Sequence, residues 1–254
     1  MRASEERNLK PVCYSVPHEL TSPRWCAAFA AGCGGTVWKY APLRAGPVAL
    51  FGSACIWKLL KAAIDEKRDW YYGDHAYFGR NEYYRCTRNG WQHDGRGEAD
   101  PERFQKFGLD IRDWRTNGNH VLICPPDEKF AALLGFPAQE WLQSVVRELK
   151  RYTDRPLRIR ERADTACVPL TRDLDGAWAL VTHMSNAAVE AVLEGIPVFC
   201  TGTCAALTMG TNDLSLIENP VMSAGRLQWA SVLAANQWTL DEMRRGDLWR
   251  YIGD

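Results

Sequence analysis

The turn His183-Met184-Ser185-Asn186, with Glu190 shortly after it, gathers residue types suited to holding an anion beside a ribose. Ser185 is suited to cap a helix start, whose free N–H groups and positive dipole end face an anion such as a diphosphate. Asn186 adds a side-chain amide there, and His183 is placed to contact phosphate or a departing oxygen. Glu190 lies more than a turn further on, where a carboxylate can accept hydrogen bonds from ribose hydroxyls. Its neighbours Val189, Ala191 and Val192 imply a face turned inward. Arg158 and Arg160 alternate along a strand candidate, so both guanidinium groups point to one side. That pattern fits a diphosphate clamp, or else an exposed edge, or salt bridges to Glu161 and Asp164.

A second group of residues suits proton transfer. Asp74 and His75 are an acid–base pair at a strand end, where a base would take the proton of an acceptor hydroxyl. The alternative is an aspartate that caps a turn beside a surface histidine. Gly52, Ser53, Tyr77 and Arg80 also fall at or after strand ends and are the expected acceptor-binding residues. Lys58, Arg80, Arg85 and Arg88, interleaved with Tyr77, Tyr83, Tyr84 and Trp91, suggest a stacking and phosphate-binding surface, which Glu82, Asp94, Glu98 and Asp100 dilute.

These residues need strands and helices to position them. Val12–Val16, Pro47–Phe51 and Trp70–Tyr72 read as strands. Helices are expected from Arg24, stopped by Gly32, Gly34 and Gly35, and over Ala54–Lys67. After an irregular stretch the alternation restarts with strand His120–Cys124, helix Ala138–Tyr152 and strand Pro156–Arg160. It ends in a strand–turn–helix–strand run from Ala179 to Phe199. Strands alternating with helices favour mainly parallel sheets, whose ligands gather at the carboxyl ends of the strands. Asn117-Gly118-Asn119 is a turn signal and marks the expected boundary between domains 1–117 and 118–254. Thr239-Leu240-Asp241-Glu242 is a capping box that opens a helix near the end. The following Leu248–Ile252 is expected to pack back on the first domain.

Composition narrows the function classes. Of 254 residues, 46% are hydrophobic, enough for a sizeable core, and 31 basic residues balance 31 acidic ones, so no global field favours nucleic acid or membrane. Nine scattered cysteines without Cys-x-x-Cys read as reduced thiols, with no metal site expected. The N-terminus is too charged for a signal peptide and no apolar stretch reaches transmembrane length, so a cytoplasmic protein is expected. A phosphate-binding P-loop, a Gly-x-Ser-x-Gly elbow and a His-Glu-x-x-His helix are all absent. Asp173-Leu174-Asp175 has the spelling of a metal-binding Asp-x-Asp, but it precedes a strand and reads as a turn.

The order Ser-Asn, Glu-Ala and Gly-Ile-Pro-Val between Ser185 and Val198 resembles the donor-nucleotide segment of GT-B-type glycosyltransferases. Gly73–Arg80 with Tyr83-Tyr84-Arg85, Leu216–Pro220 and Gln237–Met243 resemble parts of phage-encoded members. The resemblance implies an α/β fold of two Rossmann-like domains. It also implies metal-independent transfer of a sugar from a nucleotide-sugar co-substrate, with no further cofactor. Glu190 would then bind the ribose and Ser185-Asn186 the diphosphate. The acceptor it implies is a hydroxyl, with a hydroxymethylated pyrimidine in DNA as one option. A nucleotide-sugar epimerase and a non-catalytic nucleotide- or DNA-binding protein are the alternatives.

Overall fold

A computed structural model describes residues 9–39, 42–52, 57–161 and 168–253. The chain divides into two compact units, Met1–Trp91 with Asn236–Asp254, and Gln92–Ala235. The Asn117 turn falls inside the second unit, because residues before it are bonded into that unit. Asp100 N–H donates to the Ser231 carbonyl (3.1 Å), Arg112 N–H to Leu193 (2.8 Å) and Arg115 N–H to Gly195 (2.7 Å).

The first unit opens with β1 (Val12–Ser15), α1 (Thr21–Cys33), β2 (Thr36–Lys39) and β3 (Val48–Phe51). It continues with α2 (Trp57–Asp65), β4 (Trp70–His75) and β5 (Tyr83–Arg88). Helix α1 begins before Pro23, which is tolerated in a first turn, where its missing N–H breaks no intrahelical bond. It ends where Gly34 adopts φ +69° and donates its N–H to the Ala30 carbonyl. Strands β1 to β4 are parallel. Their side chains alternate between two buried faces. Cys13, Ala49, Phe51 and Tyr71 meet Trp25 and Phe29 of α1, while Tyr14, Val48, Leu50 and Tyr72 meet Leu60 and Ala63 of α2. Coverage on both faces is why these strands read as continuous apolar runs.

Strand β4 runs three residues beyond Tyr72. Gly73, Asp74 and His75 pair with Cys86, Arg85 and Tyr84 of the antiparallel β5, so Asp74 and His75 are ladder residues, not turn residues.

The second unit begins at Gln92 and carries α3 (Pro101–Gln105), which Asp100 caps by accepting the Arg103 N–H at 2.8 Å. Then come β6 (His120–Cys124), α4 (Glu128–Leu133), α5 (Ala138–Leu149), β7 (Leu157–Ile159) and α6 (Leu170–Asp173). Next are β8 (Ala177–Thr182), α7 (Ala187–Leu193), β9 (Val198–Cys200) and α8 (Arg226–Ala235). Its sheet is wholly parallel in the order β7-β6-β8-β9. Val121, Ile123, Ala179, Val181 and Phe199 pack one face of it against Val145 and Leu149 of α5.

The remaining elements, β10 (Trp238–Thr239), α9 (Leu240–Arg244) and α10 (Asp247–Ile252), belong to the first unit. Strand β10 adds antiparallel to β5, giving the sheet order β10-β5-β4-β3-β1-β2. Thr239 and Glu242 form a reciprocal capping box at the start of α9. Met243 and Leu248 join the core around Trp25 and Phe29.

Candidate functional site

The carboxyl edge of the second-unit sheet gathers the ends of β6, β8 and β9. Thr182 donates its hydroxyl to the Cys124 carbonyl (2.7 Å), and Gly202 N–H donates to the His183 carbonyl (2.9 Å). His183 Nδ1 lies 3.0 Å from Thr201 Oγ1, which also accepts the Trp141 indole N–H at 2.8 Å. The imidazole sits edge-on to Phe136, with ring centres 4.9 Å apart. Gly202 packs on its other side so closely that a Cβ would approach the ring to 2.5 Å. Burial pushes the His183 pKa below the ordinary 6.5, which keeps the ring neutral near pH 7.

Helix α7 follows directly and is only seven residues long. Ser185 Oγ accepts the Ala187 N–H at 3.2 Å, in the manner of an N-cap. Ala188 N–H donates to the Ser185 carbonyl and Val189 N–H to that of Asn186. Three of the early N–H groups are therefore satisfied within the turn, and an anion here would rely chiefly on side chains. Glu190 is exposed, contrary to the inward face its neighbours implied. Ala188, Val189, Ala191 and Val192 form the buried stripe, and the helical rotation between them carries Glu190 outward. Its charge still acts on the Cys124 thiol at the end of β6, so it lies toward the carboxyl edge.

Gln92 was not legible as part of this region. Its buried amide accepts the Ala205 N–H at 2.9 Å and donates to the Met184 carbonyl and, at 3.4 Å, to Asn186 Oδ1. It thereby ties the 184–186 turn to the loop after β9. Its partners lie more than ninety residues away, so nothing local in the sequence marks it.

The two arginines both line, with Leu122, Ile159, Val168 and Asp173, a cavity of about 350 Å³. They are not an equivalent clamp. Arg160 is buried and bonded to the Asp173 carboxylate and, at 2.7 Å, to the Val168 carbonyl. Arg158 is exposed on the edge strand β7. Asp164 lies outside the described residues. A larger hollow, about 560 Å³, sits at the amino ends of the strands beside Asn119, Pro156 and Glu218, away from this edge.

In the first unit, Asp74 is held on both oxygens. One accepts the Arg85 guanidinium at 2.6 Å and the other the His75 backbone N–H at 2.8 Å. An aspartate so engaged braces the β4–β5 ladder and makes a poor base. His75 packs edge-on to Phe51 (5.3 Å), and its Nδ1 is enclosed with no hydrogen-bond partner. Burial lowers its pKa below 6.5, assisted by the positive charges of Arg80 and Arg85 and opposed by Asp74. Gly52, at φ +68°, donates its N–H to the Gly73 carbonyl. Ser53 lies outside the described residues. Tyr77 is buried with the Arg85 guanidinium 5.4 Å from its ring centre, and Arg80 is exposed at the hairpin. Gln237 clamps the intervening loop, bonding the Phe78 N–H (3.1 Å) and carbonyl (2.9 Å).

Among the described residues no group of three His, Cys, Asp or Glu side chains is arranged to hold a metal ion, and no helix is long and apolar enough to cross a membrane. The two units, one with a mixed and one with a wholly parallel sheet, each with a histidine at a strand's carboxyl end, define an α/β protein of glycosyltransferase-like fold. No protein-family model and no curated protein matches the chain. Among solved structures it is similar to the beta Kdo 2,7 transferase KpsC of Thermosulfurimonas dismutans (TM-score 0.52, 12% identity, 94% of this chain and 99% of that one). It is also similar to the beta Kdo 2,4 transferase KpsC of the same organism (TM-score 0.50, 10% identity, 89% and 90%). At these identities the likeness is one of fold.

Proposed function

We propose that the chain is a glycosyltransferase, moving a sugar from a nucleotide-sugar to an acceptor hydroxyl. The observation that carries this reading is the His183–Glu190 segment at the carboxyl edge of a parallel sheet, in a chain 94% of which is covered by its likeness in fold to a transferase. The second unit holds the donor. His183, Ser185 and Asn186 contact the diphosphate, Arg158 adds an exposed positive charge, and the outward Glu190 carboxylate accepts from the ribose. Arg160 serves the fold. Catalysis comes from holding the sugar carbon in place and stabilising the charge of the departing diphosphate.

The first unit receives the acceptor, and His75 is the preferred base. A neutral imidazole can take a proton, whereas Asp74 is committed to Arg85. In this reading transfer proceeds without a metal, and Asp173, the first carboxylate of Asp173-Leu174-Asp175, is engaged by Arg160.

The test is incubation of the purified protein with a panel of nucleotide-sugars, including an activated Kdo, while released nucleotide is measured. Parallel reactions contain saccharide acceptors, hydroxymethylated DNA or no acceptor, each with and without EDTA. Acceptor-dependent release that survives EDTA is expected. Isomerised sugar would make the protein an epimerase, and binding without turnover would make it a non-catalytic module.

A further inference from the structure

The bonding around His183 is more specific than nucleotide contact requires. Trp141 Nε1 is only ever a donor, so its 2.8 Å bond occupies a lone pair of the Thr201 hydroxyl. That hydroxyl has one hydrogen to give, and its other side-chain partner is His183 Nδ1 at 3.0 Å. The hydroxyl keeps a second lone pair, so this contact alone runs either way; with the hydroxyl hydrogen directed at Nδ1, that nitrogen is an acceptor and the proton of the neutral ring sits on Nε2. Phe136 edge-on and Gly202 close against the ring restrict its rotation.

We infer that Thr201, braced by Trp141, is a positioning residue that fixes His183 as the Nε2–H tautomer, so that the ring offers the site a neutral hydrogen-bond donor for an anionic oxygen. The inference deepens, and for its ligand rests on, the reading of this turn as a phosphate contact. A ring locked in this form cannot use Nδ1 as a base, and it gives direction to a phosphate oxygen without the cost of burying a cation. It separates the roles of two histidines: His75 accepts a proton and His183 donates a hydrogen bond.

The tautomer is read directly by nitrogen-15 NMR of the full chain with labelled histidine and no ligand. The chain has five histidines, and His183→Gln identifies the resonances of interest. The expected wild-type spectrum shows a pyridine-like Nδ1 and a pyrrole-like Nε2 above the ring's depressed pKa. Thr201→Val should abolish that preference and Thr201→Ser should restore it. Affinity for a nucleoside diphosphate should fall severalfold in the valine variant and recover in the serine variant, while affinity for the nucleoside stays unchanged. A pyrrole-like Nδ1 in the wild type, or a valine variant with an unaltered spectrum, overturns the inference. The wild-type spectrum suffices for this even if the valine variant does not fold. A locked Nε2–H ring in a protein that binds no nucleotide would support the tautomer assignment while sinking the proposed function.

Discussion

Each unit of the molecule buries one arginine against one aspartate, and the two pairs are nearly matched. In the first unit Arg85 is 4% exposed and Asp74 31%, and in the second Arg160 is 7% exposed and Asp173 30%. Both pairs contain residues whose types and positions suited chemistry, and in both the charge fastens a strand end. In the proposed reaction each unit contributes an imidazole, His75 and His183, whose pKa values burial pushes down. They differ in the bond at Nδ1, which is enclosed without a partner in His75 and joined to Thr201 in His183. Charged residues were the conspicuous candidates, yet in a packed sheet a charge is the group most in need of a partner. In the proposed reaction the less conspicuous neutral ring is the group that acts.

The comparison breaks most visibly at His75. His75→Gln should lower turnover by about 10²–10⁴-fold, the usual contribution of a general base, and leave nucleotide affinity unchanged. Near-normal turnover would remove the distinction between the two imidazoles. Next in size, Asp74→Ala and Asp173→Ala should each destabilise their unit by about 2–4 kcal/mol, below the full figure for a buried pair because the carboxylates reach solvent. Urea denaturation would show this, and a large loss in one variant beside none in the other would end the parallel.

Smaller again, Glu190→Gln should weaken nucleoside diphosphate binding by about 1.5–3 kcal/mol in calorimetry, with the melting temperature unmoved, as expected for an exposed acceptor of ribose hydroxyls. The mildest effect per residue is on pH. His75, His93, His120 and His183 all have pKa values lowered from 6.5, in each case chiefly by burial. The unfolded chain therefore binds more protons just below pH 6.5, and stability should be full above that value. It should decline as pH falls from 6.5 through the folded values. A stability curve flat across that window would show that these rings are solvated.

The sequence made strands such as Val48–Phe51 and His120–Cys124 legible because strands covered on both faces keep an unbroken apolar run. The Thr239–Glu242 capping box was legible for another reason: all its bonds lie within four residues. Features that depend on distant partners were not. Asp74 and His75 look like a turn until β5 is known to pair with them, and Arg160 looks like a clamp until Asp173 is known to reach it. The Asn117–Asn119 turn is real, with Asn119 N–H donating to the Gly176 carbonyl, but a turn need not be a boundary. In α7, apolar residues on both sides of Glu190 leave the phase of so short a helix undetermined by local pattern.

Because the first unit is completed by Asn236–Asp254, its maturation is tied to the order in which the chain is made. The contiguous second unit has all its residues once Ala235 has emerged, and can close its core then. The first 91 residues, although synthesised earlier, must wait with the Trp25 and Phe29 face lacking Met243 and Leu248. The loop after His75 must wait for Gln237 to grip both polar groups of Phe78. A nascent chain stalled before Gln237 would thus carry a finished second unit and an unfinished loop after His75. The proposed transferase would acquire its two halves of chemistry in sequence, the proton acceptor last.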